Sequence, residues 1–174
     1  MQRNEIMRAT LSTIKDRLEK IGIARAIYAG AAAYCYGSKR EITDIDILVK
    51  CEDLEKAKAA LKNLNTEAFD IGCGAEIKTT QGTCLFFLDD KMIERTNWKR
   101  LLDVKVPVMS VEDNIVFKAI LQRGEDRGKH DVEDIRSMVA HEKIDLEYLA
   151  ERIGKCHAGK RVNSLLRSVI PRLP

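Results

Sequence analysis

Asp44 and Asp46 stand two residues apart in "ITDIDILVK", a segment that otherwise reads as a buried strand. Side chains two apart on a strand share a face. The two carboxylates therefore point together, and Ile45, Ile47 and Val49 point the other way, into a core. Carboxylates this close repel each other, and at least one pKa rises unless a cation lies between them. A divalent metal that prefers oxygen, Mg2+ or Mn2+, removes the conflict. The alternative is that both aspartates sit at the wet end of the strand and cap a turn with Thr43.

The residues upstream suit the same chemistry. "IARAIYA" (23–29) reads as a strand, Gly30 breaks it, and "AAAYCYG" suits a short helix ending at Gly37. Unpaired N–H groups at a helix start bind phosphate, and glycine lets the phosphate approach. Ser38, Lys39 and Arg40 add a hydroxyl and two cations just before the acidic strand. A triphosphate bridged to the aspartates by metal would use all of these parts. The other account of Lys39 and Arg40 is a solvated loop.

"AGAAAYCYGSKREITDIDI" resembles the signature of the nucleotidyltransferase (DNA polymerase β-like) superfamily, in particular small bacterial and archaeal members. Gly30, Ala32, Gly37, Arg40, Asp44 and Asp46 fall at the matching positions of a G-G-x-A-x-x-x-x-G-x-x-R-x-x-x-D-x-D pattern. "VPVMSVEDNIVFKAI" and "RGKHDVEDIRSM" resemble the helical region that follows the core, with Lys118, Lys129, Asp131 and Asp134 at recurring positions. The resemblance spans residues 24–139. It implies transfer of a nucleoside monophosphate from a nucleoside triphosphate to a hydroxyl, with release of pyrophosphate. Metal ions about 3.5–4 Å apart would stabilise the attacking and leaving oxygens. Asp44 and Asp46 would hold metal; Gly30, Ser38, Lys39, Arg40 and Lys118 would hold the nucleotide. The acceptor (RNA, protein or small molecule) is left open.

Two positions depart from the pattern. The turn is Ala29-Gly30-Ala31, so the serine of a Gly-Ser turn is missing. The family also carries a third carboxylate on a neighbouring strand, and matching "TCLFFLDDKMIER" puts Cys84 there, a poor magnesium ligand. Glu76, on the preceding strand, is then the expected third catalytic carboxylate, with Asp89 or Asp90 as alternatives. On an alternating strand Cys84 would share the site's face with Phe86 and Leu88, and Leu85 and Phe87 would pack into the core. A second function class follows from the Cys84 departure: a catalytically degenerate nucleotide-binding or toxin–antitoxin-type interaction protein of the same fold.

The elements that must position these residues are legible in outline. Helical spacing runs over residues 2–21 and stops at Gly22. "CEDLEKAKAALKNLN" reads as a helix, three extended pieces follow ("EAFDIG", "AEIKTT", "TCLFFLD"), and Gln81-Gly82 suits a hairpin turn. Residues 90–101 read as helical, and "VKVPVMS" as an edge-like segment, since Pro107 cannot donate to a ladder. From Ser110, a helix N-cap, the chain reads as helix after helix. The expected fold is thus α+β: a nucleotidyltransferase core at 1–109, with a small mixed or antiparallel sheet flanked by helices, then a helical region at 110–174.

Composition sets the bounds. The chain has 174 residues, 45% of them apolar and only 5% aromatic, so aliphatic side chains must fill the core. A net charge of +3 is too small to argue for nucleic acid by itself. The basic stretch "KRVNSLLR" suits the solvated face of an amphipathic helix, with RNA contact as the alternative. Five cysteines without a C-x-x-C pair exclude a clustered zinc site and read as free thiols in a reducing cytosol. His130, His141 and His157 are scattered and read as solvated. The start lacks a signal-peptide apolar region, and no apolar run spans a bilayer, so a soluble cytoplasmic protein with no membrane partner is expected.

Overall fold

A computed structural model describes residues 2–156 and 159–171. Helix α1 (Gln2–Lys20) leads through Gly22 into β1 (Arg25–Tyr28), α2 (Ala29–Cys35) and β2 (Ile45–Val49). A 3-10 turn and α3 (Leu54–Leu61) precede β3 (Phe69–Gly72), β4 (Gly74–Thr79) and β5 (Gly82–Phe87). Then come α4 (Asp90–Glu94), β6 (Asn97–Leu101), β7 (Val104–Val108) and four helices: α5 (Val111–Leu121), α6 (Asp131–His141), α7 (Leu146–Gly154) and α8 (Gly159–Val169). The architecture is α+β, as the sequence pattern requires.

The main sheet has the order β3-β2-β1-β7-β6, and β4 and β5 form a separate hairpin. β2 lies antiparallel to β1 and parallel to β3, so the sheet is mixed. Its inner strands are almost wholly apolar and buried at Ile45, Ile47, Leu48 and Val49. Helix α5 carries buried residues around its whole circumference, as a helix enclosed on all sides must. It packs against α2, α6, α7 and α8. The Ser110 side chain accepts from Asp113 N and caps it.

Four local expectations are corrected. Residues 97–101 form β6 rather than the end of a helix, because α4 stops at Glu94 and the chain returns to pair with β7. β7 is not an edge strand: it lies between β1 and β6. The missing N–H of Pro107 leaves only Ile27↔Val108 paired in register with β1. The hairpin loop is Thr80-Gln81, with Gly82 already paired to Thr79. On β5 the faces are reversed: Cys84, Phe86 and Leu88 are buried, and Leu85 and Phe87 are exposed. Phe86 stacks at 4.8 Å on Phe117 of α5, which draws that face inward.

The cysteines are not all free. Cys51 and Cys73 form a disulfide that ties the start of the α3 segment to the β3–β4 bend. Disulfides persist in oxidising surroundings, so the premise behind the cytosolic expectation does not hold for this pair. Among described residues Cys35 and Cys84 remain thiols. The bridge closes a loop with a sequence separation of 22, for which chain entropy predicts about 3 kcal/mol. Reduction should therefore lower the melting temperature measurably, and a Cys51→Ser/Cys73→Ser protein should melt like the reduced wild type. Identical melts with and without reductant would rule the bridge out. No described helix is long and apolar enough to cross a membrane.

Candidate active site

One pocket of about 270 Å3 gathers most of the residues singled out by spacing. Its floor carries Asp44 and Asp46 at the start of β2 and Asp70 on β3. Asp70 is the residue that sequence reasoning missed. β3 runs parallel to β2 with Asp46 opposite Asp70, so both side chains rise from the same face of the sheet. The sequence signal for it is "EAFDIG", an aspartate in an apolar strand, and only the pairing of β3 with β2 sets it beside Asp46.

Electrostatics support this proximity. The Asp46 carboxyl is pushed up to about 6, first by burial and then by the charges of Asp44 and Asp70, with Lys129 and Lys118 opposing. The Tyr28 phenol, paired across the strands with Asp46, is also pushed up by burial and by the charges of Asp46 and Asp70. Because the Asp46 pKa rises on folding from 3.8, its ionised form opposes folding. That cost is absent below about pH 3.8 and complete above about pH 6. Metal-free wild type should thus lose stability relative to Asp46→Asn as pH rises through this window. Melts of both proteins in chelator from about pH 4 to 8 test this; a constant difference would refute it.

The turn at the pocket wall is held from behind. Ala29 adopts φ +57°, a conformation that non-glycine residues rarely take. Asn114 of α5 clamps it, accepting from Ala29 N at 2.8 Å and donating to Ala29 O at 3.2 Å. Gly30 and Ala31 then line the pocket, and a Cβ at Gly30 would meet nothing within 4 Å. Gly37 is required for another reason: its φ is +105°, and a Cβ there would fall 2.5 Å from Cγ of His141.

Three of the residues expected to hold nucleotide, Ser38, Arg40 and Lys118, are also joined in a network around two buried aspartates. Asp134 accepts from Ser38 Oγ at 2.9 Å and from Arg40 Nε and Nη2 at 3.1 and 2.7 Å. Lys118 Nζ lies 2.8 Å from Asp134 and 3.1 Å from Asp131. Arg123 closes the network with a fork onto Asp131. Asp131 is held below the ordinary carboxylate range: burial opposes ionisation, but Arg123 and Lys118 outweigh it. Lys118 and Arg40 still line the pocket, whereas Ser38 and Lys39 do not. Lys129 and Arg123 line it as well, and among described residues no ion pair engages Lys129.

Glu76 is placed away from the aspartates. It lies on the exposed side of the β4–β5 hairpin, opposite Leu85, and is not in the pocket wall. Cys84 is buried on the other side of the hairpin, its Sγ 3.1 Å from Sγ of Cys156. Asp89 caps α4 and accepts from Arg152 at 2.7 Å, while Asp90 pairs with Lys50. His130 lines the pocket and His141 Nδ1 donates to Ser137 O; His157 lies outside the described residues. Among described residues no three His, Cys, Asp or Glu side chains form a ready-made metal cage. Magnesium is usually held by one or two carboxylates completed by substrate phosphates and water, and the oxygen donors of Asp44, Asp46 and Asp70 fit that chemistry.

These features define an α+β fold with a mixed five-stranded sheet flanked by helices and an acidic pocket at the edge of β2 and β3. The chain is similar in structure to the antibiotic-resistance factor ANT(2'')-Ia, with a TM-score of 0.52 at 12% sequence identity, over 97% of this chain and 94% of that one. No protein-family model and no curated protein matches the chain.

Proposed function

We propose that the protein is a metal-dependent nucleotidyltransferase that moves a nucleoside monophosphate from a nucleoside triphosphate to a hydroxyl acceptor. One observation carries this reading: Asp44, Asp46 and Asp70 share a pocket with the Gly30 turn and with Lys118, Lys129, Arg40 and Arg123. Mg2+ or Mn2+ held by Asp44 and Asp46 would supply charge neutralisation at the phosphates. The backbone at Gly30 and Ala31 and the exposed Lys129 side chain bind the triphosphate. Lys118 and Arg40 contribute positive charge from the network that braces the pocket. Asp70 accepts the proton of the attacking hydroxyl. The acceptor oxygen bonds to the α-phosphorus, the α–β bridging P–O bond breaks, and pyrophosphate leaves.

The catalytically degenerate reading was motivated by Cys84 at the third-carboxylate position. Asp70 opposite Asp46 supports the active reading over it. Calorimetry with each of the four common nucleoside triphosphates and Mg2+ or Mn2+ should show metal-dependent binding of at least one. No heat with any of them, metal present, would sink the proposal.

A further inference from the structure

A second cavity, about 420 Å3, shares Arg123 with the pocket of the aspartates. Its walls are the Lys78–Thr80 tip of the β4–β5 hairpin, the end of α5, the α5–α6 loop and the first turn of α8. Four cations line it, Lys78, Arg123, Arg127 and Arg161, and no acidic residue does. Lys78 and Arg127 are exposed. Arg127 has one weak surface contact, 3.9 Å from Asp126. Arg161 is held in place, donating through Nη2 to Leu121 O and through its backbone N to Gln81. Its Nε is buried without a hydrogen-bond partner. Burying such a donor is costly unless a ligand or water meets it. The basic stretch "KRVNSLLR" therefore does more than cover a helix: it brings Arg161 to the mouth of a groove that Arg123 shares with the nucleotide pocket.

We propose that this groove binds the phosphates of the acceptor, so that the hydroxyl to be modified belongs to a phosphate-bearing molecule. The binding part stands on the groove itself; the acceptor part rests on the nucleotidyl-transfer reading. Arg123 is already forked onto Asp131, but among described residues Lys78 and Arg161 have no carboxylate partner and Arg127 has only the distant Asp126, so the groove keeps positive charge that favours phosphate oxygens, with the Thr80 hydroxyl beside it. A cationic acceptor would be repelled. Because Arg123 lines both cavities, phosphates seated here would leave a neighbouring hydroxyl adjoining the pocket that holds Asp70.

The test uses the full chain and a Lys78→Glu/Arg127→Glu variant, two exposed positions outside the nucleotide pocket, with Arg161→Gln as a second variant. Melting temperatures control for folding. Binding of a labelled single-stranded RNA 12-mer is read by anisotropy over a salt series, and glycerol 3-phosphate is titrated by calorimetry. For a polynucleotide acceptor, the wild type binds RNA with salt-dependent affinity, and the double variant binds at least tenfold more weakly with a shallower slope, by roughly 1.4 units. For a small phosphorylated acceptor, only glycerol 3-phosphate binds, with the same sensitivity to the variants. Binding of neither, or binding indifferent to all three substitutions, overturns the groove. Loss of triphosphate binding in the wild type overturns the transfer reading instead and leaves the groove result standing.

Discussion

Asp70→Asn is expected to lower nucleotidyl transfer by roughly 100- to 10,000-fold, the range over which a general base contributes, while triphosphate binding persists. Asn keeps the volume of Asp and removes only the ability to take a proton and to add negative charge. The mutant should fold at least as well as the wild type, because Asp70 is one of the charges that push up the Asp46 carboxyl. Pyrophosphate release measures the effect once an acceptor is supplied. Glu76→Gln should change little, since Glu76 faces away from the pocket on the exposed side of the hairpin. Cys84→Asp should give no gain and should destabilise, because it buries an unpaired carboxylate beside Phe86. Full turnover in Asp70→Asn together with its loss in Glu76→Gln would reverse the assignment.

Lys118→Met should have the largest effect on stability. Lys118 is buried between Asp131 and Asp134, at 3.1 and 2.8 Å. Met fills similar space but leaves two buried carboxylates short of a cation. Breaking a buried pair in this way costs about 3–5 kcal/mol. In a domain of this size about 1 kcal/mol corresponds to roughly 2–4 °C, so the melting temperature should fall by roughly 6–20 °C. Arg40 and Arg123 still reach Asp134 and Asp131, which keeps the loss from being larger. Asp134→Asn in the same background should recover part of it, because it removes one uncompensated charge. A drop below about 1 kcal/mol, or no recovery in the double mutant, would mean that the network is not what braces the pocket.

The two substitutions separate two roles that one-dimensional spacing merges. Arg40 stands in the glycine-aspartate motif and Lys118, Asp131 and Asp134 in the helical region that resembles the same family, and Lys118, Ser38 and Arg40 are expected there as nucleotide ligands. In the fold they are first of all partners of one another. Their shared network fastens the loop after α2 to α5 and α6, and of the five only Lys118, Arg40 and Asp131 also reach the pocket.

Local chemistry alone was enough for much of this protein. Asp44 and Asp46 on one face of a strand, the Gly30 turn, the Ser110 cap and the α+β order all follow from side-chain period, backbone freedom and capping, which act over a few residues. What lies opposite what was decided only by the tertiary structure. Strand pairing joins residues far apart in the chain, and the parallel register that sets Asp70 beside Asp46 leaves no mark on either segment. The same holds for the Cys51–Cys73 bridge and for β7 between β1 and β6. The faces of β5 could be read as alternating but not as inward or outward, because that depends on Phe117 arriving from a helix some thirty residues later. Lys118 stands in a helix buried on every side, so its partners are chosen by packing rather than by its own sequence neighbours.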